Sequence, residues 1–259
     1  MESISVRNLW EGYAVKSRRG WRRRGQIKWA LRDVTLSVAA GEMVAVIGRN
    51  GSGKSTLLQS VAGVLKPTKG QIHTHGRVAS LVDLGAGFNR ELTGRENLLI
   101  ASVLTGMTRG DARRSYERVR AFSELDEATM MTPMRTYSAG MGLRIGFSLA
   151  VESQPSVLLV DEVLAVGDEY FQQKCIKRVT ELRDEGCAVL LVSHDLDLVS
   201  SQADRVIILD SGVVQFEGGV AEGVERYVEL SGGGHHEQDF SRQALYGASG
   251  RKGRSRQGA

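Results

Sequence analysis

Only two cysteines occur in the 259 residues, Cys175 and Cys187. Neither stands at metal-ligand spacing and together they make no paired framework, so the sequence predicts two reduced thiols rather than a disulfide scaffold. No apolar run approaches the ~18–20 residues that cross a bilayer. The opening residues, MESISVRNLW, lack the charged-then-apolar pattern of a signal peptide. The chain is therefore expected to be made and kept in the cytoplasm, with any membrane-spanning part supplied by a partner. There is no internal repeat. Nor is there a broad excess of positive charge. The formal net charge is +4, yet residues 14–29 (AVKSRRGWRRRGQIKW) hold seven positive charges and no negative one, and residues 232–259 hold five positive and two negative. Taking away that +7 and +3 leaves −6 on the rest. An acidic body with two basic appendages argues against a nucleic-acid-binding domain, which would carry its basic footprint on the body. It argues for local contact with something anionic.

What is present is an ordinary globular composition, 41% hydrophobic and 25% charged, with length enough for a real core. The segments ISVRNL (4–9) and VTLSV (34–38) alternate as strands with one exposed face do. MVAVIG (43–48), SVLLVDE (156–162) and AVLLVSH (188–194) are continuous runs, as expected of strands buried on both faces of a parallel sheet. Helix-like stretches lie between them at 54–64, 95–105, 110–123, 139–151 and 168–185. Strands alternating with helices predict an α/β fold with a parallel sheet. DRVIILDSGVVQFEG (204–218) reads as a hairpin turning at Asp210-Ser211-Gly212. Residues 94–151 break the alternation and read as a helical subdomain inserted into the sheet core. The stretch from Ser231 onward, rich in Gly, Ser, Arg and Gln, has the composition of a disordered tail.

The sharpest chemical signal is Gly48-Arg49-Asn50-Gly51-Ser52-Gly53-Lys54-Ser55, a phosphate-binding loop matched at every fixed position. An apolar strand precedes it and a helix follows, which is the context the chemistry needs. Glycines let backbone amides turn inward around phosphate oxygens. The helix places its N-terminus at the same charge. Lys54 would reach the β- and γ-phosphates, Ser55 would ligand Mg²⁺, and Thr56 offers one more hydroxyl. A second element, Val157-Leu158-Leu159-Val160-Asp161, is an apolar strand ending in a carboxylate that would hold the same metal. Glu162 follows it and is placed to polarise an attacking water. ATP and Mg²⁺ are thus the expected ligands, and ATP hydrolysis the expected reaction.

Between these motifs stands Tyr137-Ser138-Ala139-Gly140-Met141, at the start of a helical stretch. With the loop, Asp161-Glu162 and His194, it resembles the ATP-binding-cassette family over about residues 3–230. The family's usual Leu-Ser-Gly-Gly-Gln keeps its Ser and second Gly here. The resemblance implies a P-loop NTPase (RecA-like) core, an N-terminal antiparallel β subdomain and the inserted helical subdomain. All would form one nucleotide-binding domain over 1–231, with 232–259 as a basic tail. It implies that Tyr13 stacks on adenine, with Trp10 the weaker candidate. Ser138, Gly140 and Met141 would bind the γ-phosphate of ATP held by a second copy, so the working unit would be a homodimer. Ala165-Val166-Gly167-Asp168 would line that interface, and His194 would contact the γ-phosphate and orient the water.

The family's Gln between sheet and helical subdomain has no clear match in SLVDLGAGFNRELTGREN (80–97). Asp83 is the candidate substitute, reaching Mg²⁺ through water; the alternative is a plain loop acid. The Leu-Gly-Ala-Gly-Phe run, Glu-Leu-Thr-Gly-Arg-Glu-Asn, Tyr-Ser-Ala-Gly-Met and Asp-Glu-Val-Leu-Ala-Val-Gly-Asp resemble the branch that exports O-antigen, capsule and teichoic acid. So does the insertion between Tyr13 and Ala30. That implies a separate membrane permease dimer, a lipid-linked polysaccharide as cargo, and a place at the cytoplasmic face of the membrane, with no nucleic-acid partner. Some members carry a further carbohydrate-binding domain; none is expected here, and glycan recognition is expected to lie with the membrane subunit or the lipid-linked carrier. Residues 14–29, with Trp21 and Trp29 among the cations, read either as a contact for anionic headgroups or as a solvated loop. Two alternatives stay open for the whole: the ATPase of a small-molecule transporter, against which the missing Gln weighs, and a soluble ATPase of the same family, against which the lack of a second cassette weighs.

Overall fold

The computed structural model describes residues 2–15, 26–82, 87–104, 106–161 and 168–231. The segments of the sequence reading that lie outside these are the tail, most of the basic stretch, Asp83 to Ala86 and Glu162 to Gly167. Two strands, β1 (Glu2–Val15) and β2 (Gln26–Ala39), open the chain as a long antiparallel pair, followed by β3 (Met43–Ile47) and α1 (Lys54–Val61). Next come β4 (Lys69–Thr74) and β5 (Val78–Ser80), then the helices α2 (Gly94–Leu104), α3 (Arg109–Ser123), α4 (Glu127–Met130) and α5 (Ala139–Glu152). The last part alternates again as β6 (Val157–Val160), α6 (Glu169–Asp184), β7 (Ala188–Val192), α7 (Leu196–Gln202), β8 (Arg205–Asp210), β9 (Val213–Gly218) and α8 (Val220–Leu230).

The strands form two sheets. The larger runs β5-β6-β7-β3-β8-β9; all its neighbours pair in parallel except β9, which returns antiparallel to β8. The expected parallel sheet is therefore mixed at one edge. The two-residue turn Ser211-Gly212 makes that return, with φ of 49° and 80°, the left-handed pair that matches strand twist in a tight hairpin. The smaller sheet, β2-β1-β4, is wholly antiparallel. Its strands reach well past the short alternating segments read from the sequence. Register shifts interrupt the alternation of β1 against both neighbours, so a period-two pattern captures only the regular stretches between them.

The continuous apolar runs explain the layering. Every residue of β3, β6 and β7 is buried. Met43, Ala45 and Ile47 of β3 face one core with Phe147 of α5, Phe171 of α6 and Val199 of α7. Val44 and Val46 face the other, with Leu57 and Leu58 of α1 and with Ile4, Val6 and Leu9 of β1. Each such Val or Leu side chain contributes about 1.5–3 kcal/mol on burial. Helices α2 to α5 gather a third, smaller core around Leu98, Tyr116, Val119, Met130 and Ile145.

The segment Glu91–Asn97 shows why that helical group begins where it does. Thr93 Oγ1 accepts from Glu96 N at 3.2 Å while Glu96 Oε2 accepts from Thr93 N at 2.9 Å, a reciprocal cap on α2. Buried Asn97 donates to the carbonyls of Asn89, Leu92 and Thr93 and accepts from Asn89 N, so one amide side chain pins the loop entering the helix.

Candidate functional site

The site is built at the carboxyl ends of neighbouring parallel strands, the usual place for ligands in such sheets. The phosphate loop leaves β3, His194 follows β7 beside it, and Asp161 leaves β6 one strand further on. Within the loop, Lys54 is buried and its Nζ donates to the carbonyls of Gly48 and Arg49 at 2.8 and 3.1 Å. This holds the ammonium at the middle of the loop. Ser52 N donates to Arg49 O at 3.1 Å and closes the turn, while Gly51 (φ 80°) projects toward open space. Gly53 has φ 109° and caps α1; a Cβ there would stand 2.7 Å from Ala30 O, so both torsion and space demand glycine.

The turn between β8 and β9 braces this loop from behind. Gly212 N donates to Ser52 O at 2.8 Å, Arg32 N donates to Gly212 O at 2.7 Å, and the Arg32 guanidinium donates to Ser211 O at 2.9 Å. Gly212 also has a left-handed torsion, and a Cβ on it would run into the Ala30 carbonyl. Loop, turn and β2 are thereby locked together.

In front of the loop opens a cavity of about 740 Å³. Tyr13, Lys28, Trp29, Ala30 and Arg32 of the β1–β2 pair line it, together with Asn50, Gly51, Gly53, Lys54, Ser55, Thr56, Asp161 and Ser211. Three cationic side chains face one carboxylate among the described lining residues, a balance suited to a polyanion. Tyr13 is 46% exposed and its hydroxyl lies 3.4 Å from Thr56 Oγ1, so the ring stands free above the first turn of α1. Ser55 and Asp161 offer hydroxyl and carboxylate oxygens, the hard donors that suit Mg²⁺. Among the described residues no cluster of three or more His, Cys, Asp or Glu could hold a metal ion. Ser55 and Asp161 are the described residues that could contribute to holding an ion here, together with ligand oxygens.

The other predicted residues fall elsewhere. Trp10 does not line the cavity; it meets Trp29 edge-on, with ring centroids 5.3 Å apart. Ser138 caps α5, its Oγ accepting from Met141 N at 3.2 Å, and Ser138, Gly140 and Met141 form an accessible helix N-terminus outside the cavity. His194 is exposed between β7 and α7 and is not among the cavity's lining residues. Glu162, Asp83 and Ala165 to Gly167 lie outside the described residues. Asp168 caps α6, accepting from Phe171 N at 2.9 Å, and pairs with Arg144 of α5 at 2.8 Å. Arg144 also pairs with Glu124, which Lys174 joins at 2.8 Å. The hydrogen bond from Lys174 and the adjoining Arg144 hold the Glu124 carboxyl below the usual carboxylate range. This knot ties α5, whose N-terminus carries Ser138, to the start of α6.

Lys28, Arg32 and Ser211 are lining residues that motif reading did not find. The pairing Tyr13↔Lys28 places the lysine beside the tyrosine across the ladder. That register is hidden in the sequence behind the long connection between the strands.

A family model described as ABC transporter matches residues 31–165. An O-antigen export system ATP-binding protein of Klebsiella pneumoniae is 46% identical over 207 residues, 80% of this chain and 82% of the relative. A teichoic acids export ATP-binding protein of Lactococcus lactis subsp. lactis is 39% identical over 77% of this chain and 42% of its own length. Among solved structures, an ATP-binding subunit of an ABC transporter superposes with a TM-score of 0.74 at 26% identity, covering 88% of this chain and 94% of that one. An ATP-binding cassette solved as a dimer in a post-hydrolysis state with ADP and Pi gives a TM-score of 0.70 at 22% identity, over 84% of this chain and 98% of that one, a likeness of fold. The resemblance read from the motifs is borne out: the chain belongs to the ABC transporter family, as one of its ATP-binding proteins.

Proposed function

We propose that this protein is the ATP-hydrolysing subunit of an exporter of lipid-linked cell-surface polysaccharide, working as a homodimer beneath a separate membrane subunit at the cytoplasmic face of the membrane. The observation that carries the catalytic part is the single cavity shared by Lys54, Ser55, Thr56 and Asp161 at the N-terminus of α1. In this reading the loop amides and Lys54 bind the β- and γ-phosphates, and Tyr13 stacks on the base. Ser55 and Asp161, with Asp83 through water, hold Mg²⁺, which supplies charge neutralisation on the phosphates. Water attacks the γ-phosphorus, the bond to the β-phosphate oxygen breaks, and ADP and phosphate leave. Glu162 takes the water's proton, and His194 contacts the γ-phosphate and orients the water. Ser138, Gly140 and Met141 complete the site of the second copy, which suits their exposure on a capped helix N-terminus away from their own cavity.

The cargo is inferred from the relatives, which are named for O-antigen and teichoic acid export. A partner surface fits the same reading. Ile100, Val103 and Leu104 are exposed on one face of α2, at the spacing that lines up side chains on a helix. No helix among the described residues is long and apolar enough to cross a membrane, so the spanning part is assigned to that partner.

Two measurements test the proposal. Glu162→Gln is expected to bind ATP, dimerise stably and turn over very slowly; hydrolysis at the wild-type rate would remove Glu162 from its role. Depleting the protein in its host is expected to accumulate a lipid-linked glycan inside the cell. Accumulation of a small molecule with normal surface polysaccharide would instead assign the chain to a different transporter.

A further inference from the structure

Simple alternation along β2 would put Ile27, Trp29 and Leu31 on one face. The pairing departs from it. Glu11 pairs with Leu31 but Gly12 pairs with Trp29, so Ala30 is an extra residue and the strand bulges there. A bulge re-aims the side chains beyond it. Leu31 stays in the core, while Ile27 and Trp29 turn to the side that Gly12 leaves bare: a Cβ on Gly12 would lie 2.5 Å from Ile27 and 2.8 Å from Trp29. Trp10, two positions before Gly12, shares that side and meets Trp29 edge-on. Lys69, paired with Trp10 across the ladder to β4, holds its ammonium 5.6 and 5.9 Å from the two ring centroids. Ile27 is 49% exposed, and Trp10 and Trp29 are half-buried. Glu11, the nearby acid, belongs to the opposite side, where it is buried and accepts from Thr68 N and Oγ1.

We infer that Trp10, Ile27, Trp29 and Lys69 form a lipid-contact face that seats this end of the β1–β2 pair on an anionic bilayer surface. Indole rings have an apolar body and a polar N–H, and they settle at the boundary between hydrocarbon and headgroups. Ile27 adds apolar surface that gains from leaving water, and Lys69 adds a cation at headgroup depth. Charge complementarity points to an anionic surface: the sequence joining the two strands, residues 16–25, holds six positive charges and no negative one in a chain whose body is acidic. Trp29 also borders the nucleotide cavity, and the face continues from that rim through Trp10 and Lys69.

The inference is independent of the cargo and of the permease, so its test uses neither. The purified full chain is sedimented with vesicles of phosphatidylcholine alone, or of phosphatidylcholine with phosphatidylglycerol, at low and high salt. Binding is expected to the anionic vesicles only and to weaken with salt. Lys69→Glu is expected to lower the vesicle partition coefficient by about fivefold or more, the effect of one interfacial cation, and Ile27→Ser to lower it severalfold through lost apolar contact, while ATPase activity of the free subunit is unchanged. Ile27 is exposed, so its variant keeps the test decisive even if Lys69→Glu disturbs the packing of the two indoles. Three outcomes would overturn the inference: no binding to anionic vesicles, equal binding to neutral ones, or wild-type binding by both variants. Membrane association only when a protein subunit is present would assign the face to a protein partner instead.

Discussion

Tyr13 illustrates how much a single side chain owes to its setting. Its ring is exposed beside the cavity and its hydroxyl lies 3.4 Å from Thr56 Oγ1. Base stacking on an aromatic ring is worth about 1–3 kcal/mol, and it acts on binding rather than on the reacting phosphate. Tyr13→Ala is therefore expected to raise the KM for ATP by about fivefold or more with kcat little changed, whereas Tyr13→Phe should stay near wild type. Steady-state ATPase assays check both. The cysteines make the opposite case. Burial pushes the thiols of Cys175 and Cys187 up to about 12, so neither supplies thiolate near neutral pH. A thiol reagent titrated into the native protein should find no fast-reacting group and should find two after denaturation. The expectation of reduced thiols came from their number and spacing, and the chain hides both in the core behind α6 and β7.

Among the elements, those read correctly from the sequence are the ones whose physics is local. β3, β6 and β7 are unbroken apolar runs because both faces are covered, and α5 begins at a serine cap. β4 and α7 escaped that reading. β4 is mostly exposed and has no clean alternation, and α7 is only seven residues long, started by Asp195 accepting from Asp197 N and Leu198 N. The reach of β1 and β2 was hidden by their register shifts. The site follows the same rule: the contiguous loop was legible, while Lys28, Arg32 and Ser211 join it only through strand pairing. The knot of Arg144, Glu124, Lys174 and Asp168 is likewise invisible in sequence, since it joins three helices. Its stability effect has a definite pH sense. Lys174, then Arg144, lowers the folded-state pKa of Glu124, so the stabilisation is present above the unfolded glutamate value, about 4.3, and is lost as pH falls through the folded one. Glu124→Gln should melt below wild type at neutral pH, and thermal melts of the two should converge as the pH is lowered beneath about 4.

At the scale of the whole molecule, the separation of the nucleotide cavity from the N-terminus of α5 is the decisive feature. Lys54, Ser55 and Asp161 share one cavity, and Ser138, Gly140 and Met141 stand outside it on α5. If a second copy supplies that helix N-terminus, each site takes its loop from one chain and its cap from the other. Mixing two inactive variants then distinguishes this arrangement from a self-contained site. Lys54→Ala removes the ammonium from a chain's own loop but leaves its α5 intact. Gly140→Asp sets a carboxylate at the helix N-terminus that would repel phosphate, but leaves that chain's loop intact. Each variant alone forms only incomplete sites and should be inactive. In a mixed dimer, one site receives both lesions, and the other pairs the intact loop of the Gly140→Asp chain with the intact α5 of the Lys54→Ala chain. Equal mixtures should therefore hydrolyse ATP although neither component does. A mixture as inactive as its parts, under conditions where the chains are shown to associate, would mean that α5 serves its own nucleotide or none.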